Sequence, residues 1–134
     1  MSDATNVTTH ACTVGMLVRE MAVELHRVGI EDARREAGDI VAAVYDAPRF
    51  WAIMHELDDV DPNRASLCRR AAKHRASGAP FAYAVGRSAF RHLMLQVDER
   101  VLIPRQETEL LVDEVLAREA TGLAIDIGTG SGAI

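Results

Sequence analysis

The apolar residues of this chain change their period once, and that change limits the folds open to it. Up to about residue 77 they recur at three- and four-residue spacing; beyond Gly86 they alternate, then run together before a glycine-rich turn. In "TVGMLVREMAVELHRVGI", Val14, Leu17, Val18, Met21, Leu25 and Val28 share one face of a helix. Gly29 stands just past its end, where a left-handed conformation is cheap only for glycine. "EDARREAGDIVAAVYDA" repeats the arrangement with Ala33, Ala37, Ile40, Val41 and Val44 until Pro48 breaks it. "RFWAIMHEL" predicts a short third helix presenting Phe50, Trp51, Met54 and Leu57. The next helix opens with Asp61 as N-cap and Pro62 at N1, and is closed near Ser77 by Gly78 and Pro80. Four or five short helices over 13–85 predict an α-helical domain large enough to fold alone, with a modest core. Residues 1–12 have no periodicity and read as a flexible tail. The Met and aromatic side chains of the helices are expected in the core, with Trp51 reserved as a possible partner anchor.

After Gly86, "SAFRHLMLQVDERVLIP" alternates Phe90, His92, Met94 or Leu95, Val97, Val101 and Ile103 around a polar "DER". This predicts a β-hairpin over 86–104 with its turn at Asp98–Arg100, ended by Pro104. "RQETELLVDEVLAREATG" then reads as a helix with Leu111, Val112, Val115 and Leu116 inward and acids in its first turn, where they suit the helix dipole. Gly122 stops it, and "LAIDI" has the continuous apolar character of a buried parallel strand. The fold class expected is thus a helical bundle, a hairpin linker, and from 105 to 134 the first helix and strand of a Rossmann-like α/β domain.

Charge is distributed unevenly. The chain of 134 residues is −5 overall, but Arg64–Arg105 holds nine Arg/Lys against Asp98 and Glu99, so the remainder carries −12. Such polarity suits docking against an anionic or mixed-charge partner, or marks a solvated helix face that carries arginines. No run approaches the ~20 apolar residues of a membrane span, and no signal-peptide pattern is visible, so a cytoplasmic protein with free Cys12 and Cys68 is expected. The five histidines are scattered and none has metal-ligand spacing, so no metal is expected.

The stretch "DIGTGSGAI" is where the chemistry lies. Gly128, Gly130 and Gly132 let the main chain turn tightly and let a ligand approach where a Cβ would clash. A dinucleotide fingerprint spaces its third glycine one residue later and delivers a pyrophosphate to a helix N-terminus. Here Asp126 lies at the entry, a poor neighbour for pyrophosphate and a good one for a cationic ligand. S-adenosylmethionine, with an ammonium, a sulfonium and no phosphate, is favoured over a nicotinamide dinucleotide. The alternative is a tight strand–helix turn that binds nothing.

Three motifs in order carry a family resemblance: G-x-P-x-x-Y-x-x-G at Gly78, Pro80, Tyr83 and Gly86; "VLIPRQETELLV" from Val101 to Val112; and "DIGTGSGAI" from Asp126. Together they resemble the protein-(glutamine-N5) methyltransferases of HemK/PrmC type, which modify peptide chain release factors. The resemblance implies methyl transfer from S-adenosylmethionine to the glutamine amide of a release factor's Gly-Gly-Gln motif. It implies a cofactor turn at Asp126, Ile127, Gly128, Thr129 and Gly130, and a linker signature at Arg105, Glu107 and Glu109. That signature either positions the linker over the site or merely caps a helix and pairs on its surface. The family's ribose-binding acid and Asn-Pro-Pro-Tyr loop have no counterpart in the 134 residues. The chain therefore reads as an N-terminal portion, inactive and at most a weak cofactor binder by itself, with 122–134 loosely docked. Alternatives are a non-catalytic module that binds a release factor, or a fragment of a nucleic-acid adenine methyltransferase; the signature and the acidic remainder argue against direct nucleic-acid binding.

Overall fold

A computed structural model describes residues 12–118 and 121–134; the tail expected over residues 1–12 lies, but for Cys12, outside them. The chain divides between Ala76 and Ser77 into two compact units.

The first unit holds α1 (Val14–Arg27), α2 (Ala33–Tyr45), α3 (Trp51–Met54) and α4 (Pro62–Ala76). Each start and stop has a local cause. The Thr13 hydroxyl accepts the amide of Met16, and Asp61 Oδ1 accepts those of Asn63 and Arg64 at 3.0 Å, with Pro62 occupying the position whose N–H would be orphaned. At the end of α1 the amides of Gly29 and Ile30 return to the carbonyls of His26 and Leu25, with Gly29 at φ +85°. This is a Schellman closure. α2 closes in the same way through Ala47 and Asp46, a non-glycine held at φ +52°.

The core lies where α1, α2 and α4 pack together. Val14, Leu17, Met21 and Leu25 meet Ala37, Ile40 and Val41, and α4 contributes only small groups: Ala65, Cys68, Ala71 and Ala72. Val44 is half-buried and Val28 exposed, so the expected helix faces hold except at their C-terminal ends. The amides of Val14 and Gly15 are taken by the carbonyls of Asp58 and Glu56, both at 2.9 Å, so the segment after α3 caps α1 with its backbone.

α3 departs from expectation. It is a single turn, and Phe50, Met54 and Leu57 are exposed rather than in the core. Only Ala52 is buried there; Trp51 instead stacks between Tyr45 and His55, with centroids at 4.6 and 4.2 Å. A four-residue helix cannot turn every apolar side chain toward one neighbour.

Both cysteines are free thiols. Burial pushes the Cys68 thiol up to about 11 from 9.0. Because the folded value lies above the unfolded one, the stability linked to the neutral thiol is complete below about pH 9 and is lost as the pH rises through about 11. At pH 8 we expect a disulfide reagent to label half-buried Cys12 in a fast phase and Cys68 only in a slow one; equal rates would contradict this burial.

The second unit holds α5 (Phe81–Val85), β1 (Arg87–Phe90), β2 (Leu93–Gln96) and α6 (Gln106–Leu116). The strands pair antiparallel from Arg87↔Gln96 to Phe90↔Leu93, so the turn is Arg91–His92 and not the expected Asp98–Arg100. Phe90 and Val97 are the buried apolar residues here. Asp98 and Arg100 instead form their own closed loop: the Arg100 guanidinium and amide bind the Asp98 carboxylate at 2.6–3.1 Å and hold it at about 2, well below its ordinary value.

Two further expectations fail. Leu110, Leu111, Val115 and Leu116 of α6 are exposed, and Val112 is half-buried. "LAIDI" forms no strand, and Leu123, Ile125 and Ile127 are exposed. A parallel strand exists only through a neighbour's ladder, and among the described residues none is offered to it. No helix among the described residues is long and apolar enough to cross a membrane.

Candidate functional site

The motifs of the second unit form a chain of backbone ties. Gly78 takes φ +101° beyond α4, and Pro80 then starts α5 at φ −54°. Gly86 ends α5 at φ +71°, and its carbonyl accepts the Val97 amide at 3.1 Å. Tyr83 lies between these glycines, and its hydroxyl donates to the Val101 carbonyl at 2.6 Å. The G-x-P-x-x-Y-x-x-G spacing thus bends the chain twice and fastens α5 to the first residue of "VLIPR".

Of the linker signature, Glu109 is the residue with a visible task. Its Oε1 accepts the Arg91 amide at 2.9 Å, and Arg91 is at φ +52° in the hairpin turn. The Arg91 guanidinium reaches Asp113 with Nη1 2.8 Å from Oδ1, a contact of charges rather than an aligned hydrogen bond. One face of α6 therefore holds the hairpin tip at both its main chain and its side chain. Arg105 is the N-cap of α6, extended at φ −100°, ψ 147°, with its carbonyl accepting the Thr108 amide. Glu107 lies in the first turn, exposed, as Arg105 is. Neither side chain has an ion-pair partner among the described residues.

The glycine turn is open. Gly128, Gly130 and Gly132 take φ +84°, +56° and +74°, conformations that side chains rarely adopt. A Cβ at Gly128 or Gly132 would meet nothing within 4 Å, and the Gly132 amide closes the turn on the Thr129 carbonyl at 2.9 Å. Asp126 is exposed and Ile127 is 92% exposed. The chemistry fits S-adenosylmethionine: one carboxylate for a cation beside main chain free of Cβ atoms. Enclosure does not, because nothing among the described residues covers the turn. No hydrogen bond or ion pair among them joins it to Arg105, Glu107 or Glu109.

Comparison with known proteins adds the decisive observation. The PrmC N-terminal domain matches residues 17–86, more than half of the chain. The chain belongs to the PrmC family. Among PrmC-family relatives, the release factor glutamine methyltransferase of Bordetella pertussis is 38% identical over 104 residues, which is 75% of this chain and 38% of that protein. The protein of the same name from Lactococcus lactis is 44% identical over 96 residues, 63% of this chain and 36% of that one. That from Moorella thermoacetica is 38% identical over 127 residues, 90% of this chain and 42% of that one. The chain thus spans about two fifths of the length of the PrmC-family relatives it matches. Arg91 and Asp113 were not among the residues singled out from the sequence. A left-handed Arg and its partner on a later helix leave no mark in spacing, since both depend on where the hairpin turns.

Proposed function

We propose that this chain is the substrate-docking and linker portion of a release factor glutamine methyltransferase. The helical domain, 13–85, would dock the release factor; the hairpin, 86–104, would link it to the cofactor domain beginning at 105. The observation that carries this reading is the run of relatives that share the name release factor glutamine methyltransferase, with matches that reach 90% of the chain. The three ordered motifs support it.

Bound S-adenosylmethionine would supply an electrophilic methyl group on a sulfonium. Asp126 would face its cationic methionine end, and the amides of Gly128, Thr129 and Gly130 would border it where no Cβ intervenes. An amide nitrogen is a weak nucleophile, so transfer requires it to be held in line with the methyl carbon. Glu109, by holding the hairpin, would set where the linker lies; Arg105 and Glu107, unpaired at the start of α6, remain free to meet the substrate. Because nothing among the described residues covers the glycine turn, the 134-residue chain is expected to be inactive alone, and the cytoplasm is its proposed location.

Calorimetry of the 134-residue chain with S-adenosylmethionine tests the site assignment. We expect no binding, or binding weaker than about 1 mM, because an open turn desolvates little of the ligand. Micromolar binding would show that the turn is sufficient to hold the cofactor and would overturn the reading of an incomplete site. Loss of release factor from a pull-down at low salt would remove the docking role.

A further inference from the structure

We propose that the cleft on the helical unit between α1, α2 and α3 takes an acidic amphipathic helix from a partner protein. The cleft has a volume of about 450 Å³. Gly15, Val18, Gly38 and Ala52 form its small-residue floor, so a partner's side chains can come close to all three helices. Its lip is apolar and unusually bare: Phe50 is 66% and Ile53 71% exposed, and Met54 (82%) and Leu57 (86%) follow on the same segment. A concentration of four large apolar side chains on eight residues marks an interaction surface rather than scattered exposure. A groove with apolar anchors of this scale receives side chains at the i, i+3, i+4 and i+7 positions of a helix.

Charge selects the sign of that helix. The acids lining the cleft are already engaged: Asp39 accepts Arg49 in a fork at 3.0–3.2 Å, and Glu56 pairs with Arg19 at 3.3 Å. Arg49 shares that fork but is 59% exposed above an Asp39 that is only 16% exposed, so the pair presents its cationic side to solvent. Arg35 is 58% exposed beside Asp32, a surface pair of the kind that exchanges readily. Arg34 has no ion-pair partner among the described residues. A partner helix with carboxylates beside its apolar stripe meets this rim favourably, and a basic one meets it badly.

The test uses the 134-residue chain, isotope-labelled, and a designed helical peptide of about four turns with leucines at i, i+3, i+4 and i+7 and flanking glutamates. Saturable shifts are expected at Gly15, Val18, Gly38, Ala52 and Ile53. Exchanging the glutamates for lysines weakens binding about tenfold or more. Arg34→Glu weakens the acidic peptide and strengthens the basic one, a reversal that loss of fold would not produce. Ile53→Ser, at an exposed position, removes binding of both without lowering the melting temperature. Equal binding of the two peptides, or an Arg34→Glu variant that treats them as before, overturns the proposal. So do shifts of the same residues on concentration without peptide, which assign the cleft to a second copy of this chain. Shifts on phosphatidylcholine vesicles with none from the peptide assign it to lipid instead.

Discussion

Gly15→Ala destabilises the helical unit by about 1–3 kcal/mol, the range of an overpacked core, although alanine is the better helix former. A Cβ on Gly15 would lie 2.5 Å from Glu56 Cγ and 3.0 Å from the Glu56 carbonyl oxygen. The side chain can swing aside at the expense of its pair with Arg19, but the carbonyl cannot, because it accepts the Gly15 amide itself at 2.9 Å. Retreat of the backbone therefore breaks the cap on α1 and leaves an N–H unsatisfied. Gly38→Ala is the control. It lies within α2, its added Cβ would stand 3.8 Å from that of Ala52, and no positive φ is involved. There the ordinary gain in helix propensity prevails, and a stabilisation of about 0.5–1 kcal/mol is expected. Urea titrations of both variants decide the matter. If Gly15→Ala is neutral or as stabilising as Gly38→Ala, α1 does not approach the Glu56 backbone this closely.

What could be read in the residues divides by how local its cause is. Gly29 and the Asp61–Pro62 pair mark helix ends through local contacts, and both act as their spacing suggests. The faces of α1 and α2 followed equally, since one periodic stripe needs only some neighbour to cover it. The hairpin turn did not. "DER" has turn composition, but Arg91 occupies the left-handed position because Glu109 and Asp113, 18 and 22 residues later, hold it there. "LAIDI" has the composition of a buried strand and none of its pairing, because a strand's existence is decided by its neighbours. The third helix shows the same limit on the scale of one turn. Its apolar residues predicted a core, yet Phe50 borders an open cleft and Met54 and Leu57 are exposed. The glycine turn was legible as backbone conformation, since a positive φ at Gly128, Gly130 and Gly132 follows from residue type. Its surroundings were not.

Glu109→Ala loosens the hairpin tip by about 1.5–3 kcal/mol, the range for a hydrogen bond to a charged group. Arg91 at φ +52° bears the cost of a left-handed side chain, about 1–2 kcal/mol, and does so because Glu109 Oε1 receives its amide at 2.9 Å. Without that acceptor the turn retains the strain and loses its compensation. The Asp113 contact cannot substitute, being an ion pair to a carboxylate 58% exposed to water and not an aligned hydrogen bond. Hydrogen exchange resolves the effect at one amide. In Glu109→Ala the Arg91 N–H is expected to exchange about tenfold faster or more, while Val97, whose amide is held by Gly86 rather than by α6, changes less. Glu109→Gln keeps an oxygen acceptor without the charge and falls between. Adding Arg91→Gly to Glu109→Ala removes the left-handed strain and recovers part of the lost stability, so the double variant is more stable than Glu109→Ala alone. Unchanged Arg91 exchange in Glu109→Ala would show that the tip holds itself. The same measurement bears on the linker signature: a residue that merely decorated the surface of α6 would leave the hairpin as it was.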